Sequence, residues 1–105
     1  MLISPSVLNS NLGRLSEEIS KVEGVADLIH LDVMDNHFVP NLSFGLPVVA
    51  GVIAQTSLPV DVHLMIDDPD RWAPAYGEAG AYSVTFHIEA AKDPLTLSKD
   101  ISATG

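Results

Sequence analysis

The 105-residue sequence predicts an α/β fold of about four βα units, arranged as part of a parallel barrel. Two observations carry that expectation. Strand-sized apolar segments alternate with segments of helical spacing, repeating every ~25 to 30 residues as βαβ units do. Each strand segment also has an apolar face and a polar one, and the polar faces hold histidines and aspartates.

The strands are read at Leu2 to Leu8, Leu28 to Met34, Val60 to Ile66 and Ser83 to Ile88, all rich in β-branched or large apolar residues. Leu12, Leu15, Ile19 and Val22 fall on one helical face, with Ser10 to cap its start and Gly24 its end. A second helix runs from Pro47, a favoured first helical residue, to about Gln55. The third opens at Asp68-Pro69 and stops near Gly80, with Pro74 expected to kink or shorten it. Asp93-Pro94-Leu95 begins a fourth, cut short by the chain end. Connections of this length favour parallel over hairpin-linked strands. Residues 1–105 read as one domain with no internal boundary.

In the second strand Ile29, Leu31 and Val33 oppose His30, Asp32 and Met34. In the third, Val60, Val62 and Leu64 oppose Asp61, His63 and Met65; in the fourth, Val84, Phe86 and Ile88 oppose Ser83, Thr85 and His87. The first strand sets Ser4 and Ser6 against Ile3 and Val7. A doubly wound sheet, buried on both faces, would read as continuous apolar runs. A second face bearing histidines and aspartates fits a barrel interior instead, and helix-length connectors argue against an antiparallel sheet with one wet face. A closed barrel takes eight units and about 200 to 250 residues, so four units amount to half of one.

Fourteen acidic against five basic residues give a net charge of −9, a poor match for nucleic acid or an anionic membrane. Without cysteine there is no disulfide, thiolate nucleophile or Cys-type zinc site. Met1 to Pro5 lacks the basic, then apolar, character of a signal peptide, and no apolar run reaches the ~18 residues of a membrane span. A cytoplasmic location is therefore expected. No phosphate-loop, dinucleotide-loop or nucleophile-elbow motif occurs.

His30 and Asp32, two apart on one strand, project into the same space, and His63 on the next strand can join them. Two imidazoles and a carboxylate suit a divalent ion such as Zn²⁺, Fe²⁺ or Mn²⁺. The plainer alternative is a pair of partly buried histidines satisfied by Asp32 and Asp61 through ordinary hydrogen bonds. Beside an ion that acidifies the carbon next to a ketone, Asp32 is the natural base; otherwise it is a plain ligand or a partner for His30. Met34 and Met65 are either core filler or a soft wall beside the site. Ser6 is placed to hydrogen-bond a substrate hydroxyl. His87 and Glu89 read as solvated loop residues. Residues 35–41 form a polar loop where barrel enzymes keep functional loops. Asp67, Asp68 and Asp70 read as helix capping and dipole compensation rather than as a calcium site.

Ser4-Pro5-Ser6-Val7-Leu8, Ile29-His30-Leu31-Asp32-Val33-Met34-Asp35, Phe38-Val39-Pro40-Asn41 and Val60-Asp61-Val62-His63-Leu64-Met65 share an order and spacing. In both they resemble the first half of the ribulose-phosphate 3-epimerase family, from about Ile3 to about Glu89. Asn36 stands where that family usually has glycine. The resemblance implies a (β/α)₈ barrel of ribulose-phosphate-binding type that interconverts D-ribulose 5-phosphate and D-xylulose 5-phosphate through a cis-enediolate. It implies that His30, Asp32 and His63 bind one divalent metal ion (Zn, Fe, Mn or Co) and that Asp32 removes the C3 proton. Ser6 and His63 would contact substrate, and Met34 and Met65 would line the intermediate.

The family's second acid, also its fourth metal ligand, is an aspartate on the seventh strand, and late glycine-rich loops with a helix N-terminus hold the phosphate. A half barrel has neither, so the isolated chain is expected to be incomplete for catalysis and to form a homo-oligomer. Two other readings stand beside it. One is a non-catalytic half barrel that self-associates through the unpaired edges of its first and fourth strands. The other is a related ketose 3-epimerase acting on an unphosphorylated sugar.

Overall fold

The structure, a computed structural model, describes residues 3–6, 14–40 and 42–104. Three strands, β1 (Ile29–Met34), β2 (Val60–Met65) and β3 (Ser83–Thr85), form a parallel sheet in chain order. Helices α1 (Leu15–Ser20), α2 (Leu46–Gln55), α3 (Pro69–Glu78) and α4 (Pro94–Ser102) alternate with them. The sequence therefore folds as the βα succession its spacing predicts, with every described strand pair parallel.

Residues at alternate positions of these strands separate the sheet into two chemistries. Ile29, Leu31 and Val33 lie in register with Val60, Val62 and Leu64, and all six are buried. Leu15 and Ile19 of α1, Val49 and Val52 of α2, Ala73 and Tyr76 of α3 and Leu97 of α4 join the same core. Their three- and four-residue spacings give α1, α2 and α3 an apolar stripe, whose burial supplies the main folding energy at roughly 25 cal/mol per Å². On the opposite sheet face no polar side chain is buried among the described residues, so the histidines and aspartates keep access to solvent.

Beside β1, Ile3 O accepts the Leu28 N–H at 3.0 Å and Pro5 O accepts the His30 N–H at 2.9 Å. Ser6 bridges to His30 in parallel. This is the edge where the first strand was expected; Leu2, Val7, Leu8, Ser10 and Leu12 fall outside the described residues.

Four local expectations need correction. Helix α1 ends at Ser20 instead of reaching Gly24, because the Val22 N–H turns back to Ile19 O at 3.0 Å and tightens the chain into turns. Helix α3 is not shortened at Pro74 but runs through it to Glu78, close to the stop expected near Gly80, with buried Ala73 and Tyr76 on either side of the proline. Strand β3 stops at Thr85 instead of Ile88: among the described residues it pairs with β2 alone, through three residues, and Ile88 emerges 74% exposed. Asp68 occupies the position before α3 but its side chain makes no cap bond. Asp70 accepts the N–H groups of Lys92 at 2.8 Å and Asp93 at 3.1 Å, tying α3 to the turn before α4. Those bonds hold its carboxyl below the usual carboxylate range. The expected cap at Asp93 does form, on Thr96 N–H at 3.2 Å.

The loop after β1 turns through Asn36 at φ 61°, the left-handed conformation that explains why glycine suits this position and why Asn is tolerated. Asp35 organises the turn. Its carboxylate accepts His37 N–H and Phe38 N–H at 2.9 Å each and Asp67 N–H at 2.8 Å, joining this loop to the end of β2. Partial burial works to raise the Asp35 pKa, but the three donors outweigh it and hold the carboxyl below its ordinary value. A depressed carboxylate stabilises the fold fully above the unfolded pKa of about 4 and loses that contribution as pH falls through the lower folded value. Asp35→Asn should accordingly flatten the acid limb of the stability curve below about pH 4. Urea melts of both proteins across that range check it, and parallel acid limbs would refute it.

Candidate metal centre

Strand register assembles the polar face in three rungs. Ser6, His30, Asp61 and Ser83 form one line across the sheet; Asp32, His63 and Thr85 form the next; Met34 and Met65 form the third. His63 is thus level with Asp32, not with His30, and a ring from the lower rung leans up beside Asp32.

Asp32 lies at the convergence. Its Oδ1 is 3.0 Å from His30 Nε2 and 3.4 Å from His63 Nδ1, while its Oδ2 accepts the Ser6 hydroxyl at 2.7 Å. Ligand atoms of His30, Asp32 and His63 all lie within 4.8 Å of one another. Two donors each ~2.1 Å from one ion are ~3.0 Å apart at a right angle and ~3.4 Å apart at the tetrahedral angle. The nitrogen–oxygen separations match those spacings, and the donor set (two imidazoles and a carboxylate) is that of zinc and its first-row neighbours. The residues fit a divalent metal ion. They are reachable as well, with side chains 25%, 13% and 25% exposed.

Both histidines have their outer nitrogens engaged. His30 Nδ1 donates to Asp61 Oδ2 at 2.8 Å, and the Ser83 hydroxyl donates to Asp61 Oδ1 at 2.5 Å. Burial works against a charge on His30, but the hydrogen bond to Asp61 and the charges of Asp32 and Asp61 prevail, so its pKa is raised. His63 Nε2 faces His87 Nε2 at 2.9 Å, which requires a hydrogen on one of the two. The rings stack with centroids 5.0 Å apart, and the Phe38 ring from the β1 loop lies 5.2 Å from that of His87.

Each residue expected to serve the site can now be placed. His30, Asp32 and His63 come together, Ser6 joins them through Asp32, and Met34 and Met65 pair on the adjoining rung. His87 departs from its expected role as a solvated loop residue: its ring packs against both His63 and Phe38, whereas Glu89 remains 75% exposed. Asp61, named from the sequence as a hydrogen-bond partner for the histidines, meets His30, and Ser83, read there only as an alternate polar position, meets Asp61. Their one signal in the sequence is polarity at the i and i+2 places of strands that also carry ligands, and only register reveals whom they touch.

The chain matches the ribulose-phosphate 3 epimerase family over residues 2–105. It is 58% identical over 104 residues to the protein named ribulose-phosphate 3-epimerase in Mycobacterium bovis, covering 99% of this chain and 45% of that one. Its identity to the Mycobacterium leprae protein of the same name is 55% over 104 residues, covering 99% and 46%. To the Bacillus subtilis protein of that name it is 51% over 89 residues, covering 84% and 41%. The chain spans about half the length of the curated relatives it matches. Its parallel βα order is that of part of a (β/α)₈ barrel. By sequence and by fold, this chain belongs to the ribulose-phosphate 3-epimerase family.

Proposed function

We propose that this chain forms the metal-binding, proton-abstracting part of an epimerase site that interconverts D-ribulose 5-phosphate and D-xylulose 5-phosphate. The observation that carries the reading is the meeting of His30, Asp32 and His63, from adjacent parallel strands, around one point. A divalent ion bound there polarises a ketone and lowers the cost of removing a proton from the neighbouring carbon.

The two oxygens of Asp32 face different partners, and that divides its labour. Oδ1, between the two imidazoles, is the metal ligand. Oδ2, turned toward Ser6, is the oxygen that takes the C3 proton, with general-base catalysis of this kind contributing about 10²–10⁴-fold. Ser6 Oγ steadies that carboxylate oxygen and sits where a substrate hydroxyl reaches it. His63 would hold the ion through Nδ1, and its ring would flank the substrate. Met34 and Met65 offer a polarisable, aprotic surface to the planar intermediate, which suits charge spread over a π-system better than water would.

A chimera tests this directly: residues 1–105 replace the matched part of the Mycobacterium bovis relative. With zinc or manganese supplied, it is expected to epimerise D-ribulose 5-phosphate and to exchange the C3 hydrogen with solvent deuterium. Turnover on free D-ribulose should be far slower. Metal uptake without C3 exchange would sink the proposal, and equal turnover on both sugars would remove the phosphate from it.

A further inference from the structure

His30 is a symmetric problem for a metal site, since a free imidazole can present either nitrogen and either tautomer. In this chain both nitrogens meet a carboxylate, Asp32 at Nε2 (3.0 Å) and Asp61 at Nδ1 (2.8 Å), and an ion held between Nε2 and Asp32 would leave the Asp61 side alone to keep a hydrogen. Asp61 stands directly across from His30 in the β1–β2 register, and its Oδ2 takes the Nδ1 hydrogen at 2.8 Å. Across the following gap Ser83, in register with Asp61, donates to the other carboxylate oxygen. Asp61 is therefore held at both ends, with its side chain only 23% exposed.

We infer that Asp61, held by Ser83, is a positioning residue that fixes the His30 tautomer and ring orientation so that Nε2 faces the metal point shared with Asp32 and His63. The inference rests on the proposed metal reading and adds a role that the three ligand residues do not contain. Its physical basis is the carboxylate–histidine–metal arrangement: an acceptor on the outer nitrogen pins the ring, fixes the lone pair on the inner one and makes that nitrogen a better donor. Asp61 touches neither metal nor substrate. Its polar partners on the adjoining strands are His30 and Ser83, and both of its oxygens are in use.

Three variants separate positioning from plain structural support. Asp61→Ala removes the acceptor, Asp61→Asn keeps one of similar shape, and Ser83→Ala releases the clamp. Zinc affinity, measured by competition with a chromophoric chelator, should fall about 10–100-fold in Asp61→Ala. Asp61→Asn should recover most of that loss, and Ser83→Ala should lose a smaller part. Ring ¹⁵N shifts of the metal-free chain at alkaline pH, where the imidazole is neutral, should show the His30 hydrogen mainly on Nδ1, and mainly on Nε2, toward Asp32, in Asp61→Ala. A ring whose tautomer does not respond overturns the inference whatever the metal does, as does unchanged zinc affinity in Asp61→Ala. If Asp61→Ala does not fold, the tautomer and affinity of Asp61→Asn and Ser83→Ala decide by the same criteria. Zinc binding indifferent to His30→Ala and His63→Ala would instead overturn the metal reading, and the metal-free tautomer would still decide the part played by Asp61.

Discussion

Asparagine at position 32 is expected to lower epimerisation by the chimera about 10²–10⁴-fold, the range that a positioned general base supplies. The substitution keeps shape and an oxygen for the Ser6 hydroxyl, which now sits 2.7 Å from Asp32 Oδ2, but an amide takes up no proton. Metal affinity should fall too, since Oδ1 lies 3.0 Å from His30 Nε2 and 3.4 Å from His63 Nδ1. Turnover at saturating metal separates the two losses: occupancy recovers and the rate does not. Deuterium exchange at C3 should vanish in step with turnover, because both need the same proton transfer. An Asp32→Asn protein that keeps near-normal turnover with bound metal would remove Asp32 as the base.

The largest stability effect is expected one residue away, on the other face. Leu31 is fully buried, in register with Val62, in the core shared by the helices and the sheet. Leu31→Ala should cost about 2–5 kcal/mol, from lost transfer energy and the cavity left behind. Against a typical total of about 5–15 kcal/mol, that removes a large part of the folding free energy. For a domain of this size it corresponds to a fall in Tm of roughly 10–30 °C. Leu95, 79% exposed on α4, provides the control, and its alanine variant should melt close to the parent. A loss below about 1 kcal/mol for Leu31→Ala would mean that this layer does not dominate folding.

Both effects follow from a pattern visible in the sequence before any coordinates. Side chains two apart on a strand share a face, so His30 with Asp32 and Leu31 with Val33 were separable by counting alone. The first helix on the apolar face was legible from a periodicity of its own, the spacing of Leu15 with Ile19. What counting does not supply is the alignment of one strand against the next. His63 could have stood opposite His30, but pairing puts it opposite Asp32 and leaves Asp61 to meet His30.

His87 escaped for a related reason. It lies beyond the short β3, and its ring returns to His63 through packing that no local pattern encodes. Asp70 keeps its expected place in the first turn of α3 but does more than that place signals. Its place in the first turn of α3 signals a helix-dipole role, whereas its bonds go to Lys92 and Asp93 on a distant turn. Local rules name the candidates; chain pairing chooses among them.

The alternation of aliphatic and ligand side chains along β1 and β2 makes metal uptake a gauge of correct alignment. A slip of a single residue between those strands would carry the imidazole and carboxylate of one of them under the helices, turn its aliphatics outward and part His63 from Asp32. A population that is collapsed and rich in secondary structure, yet misaligned, would take up no zinc, so metal stoichiometry during refolding would count the molecules whose strands have paired in the native frame.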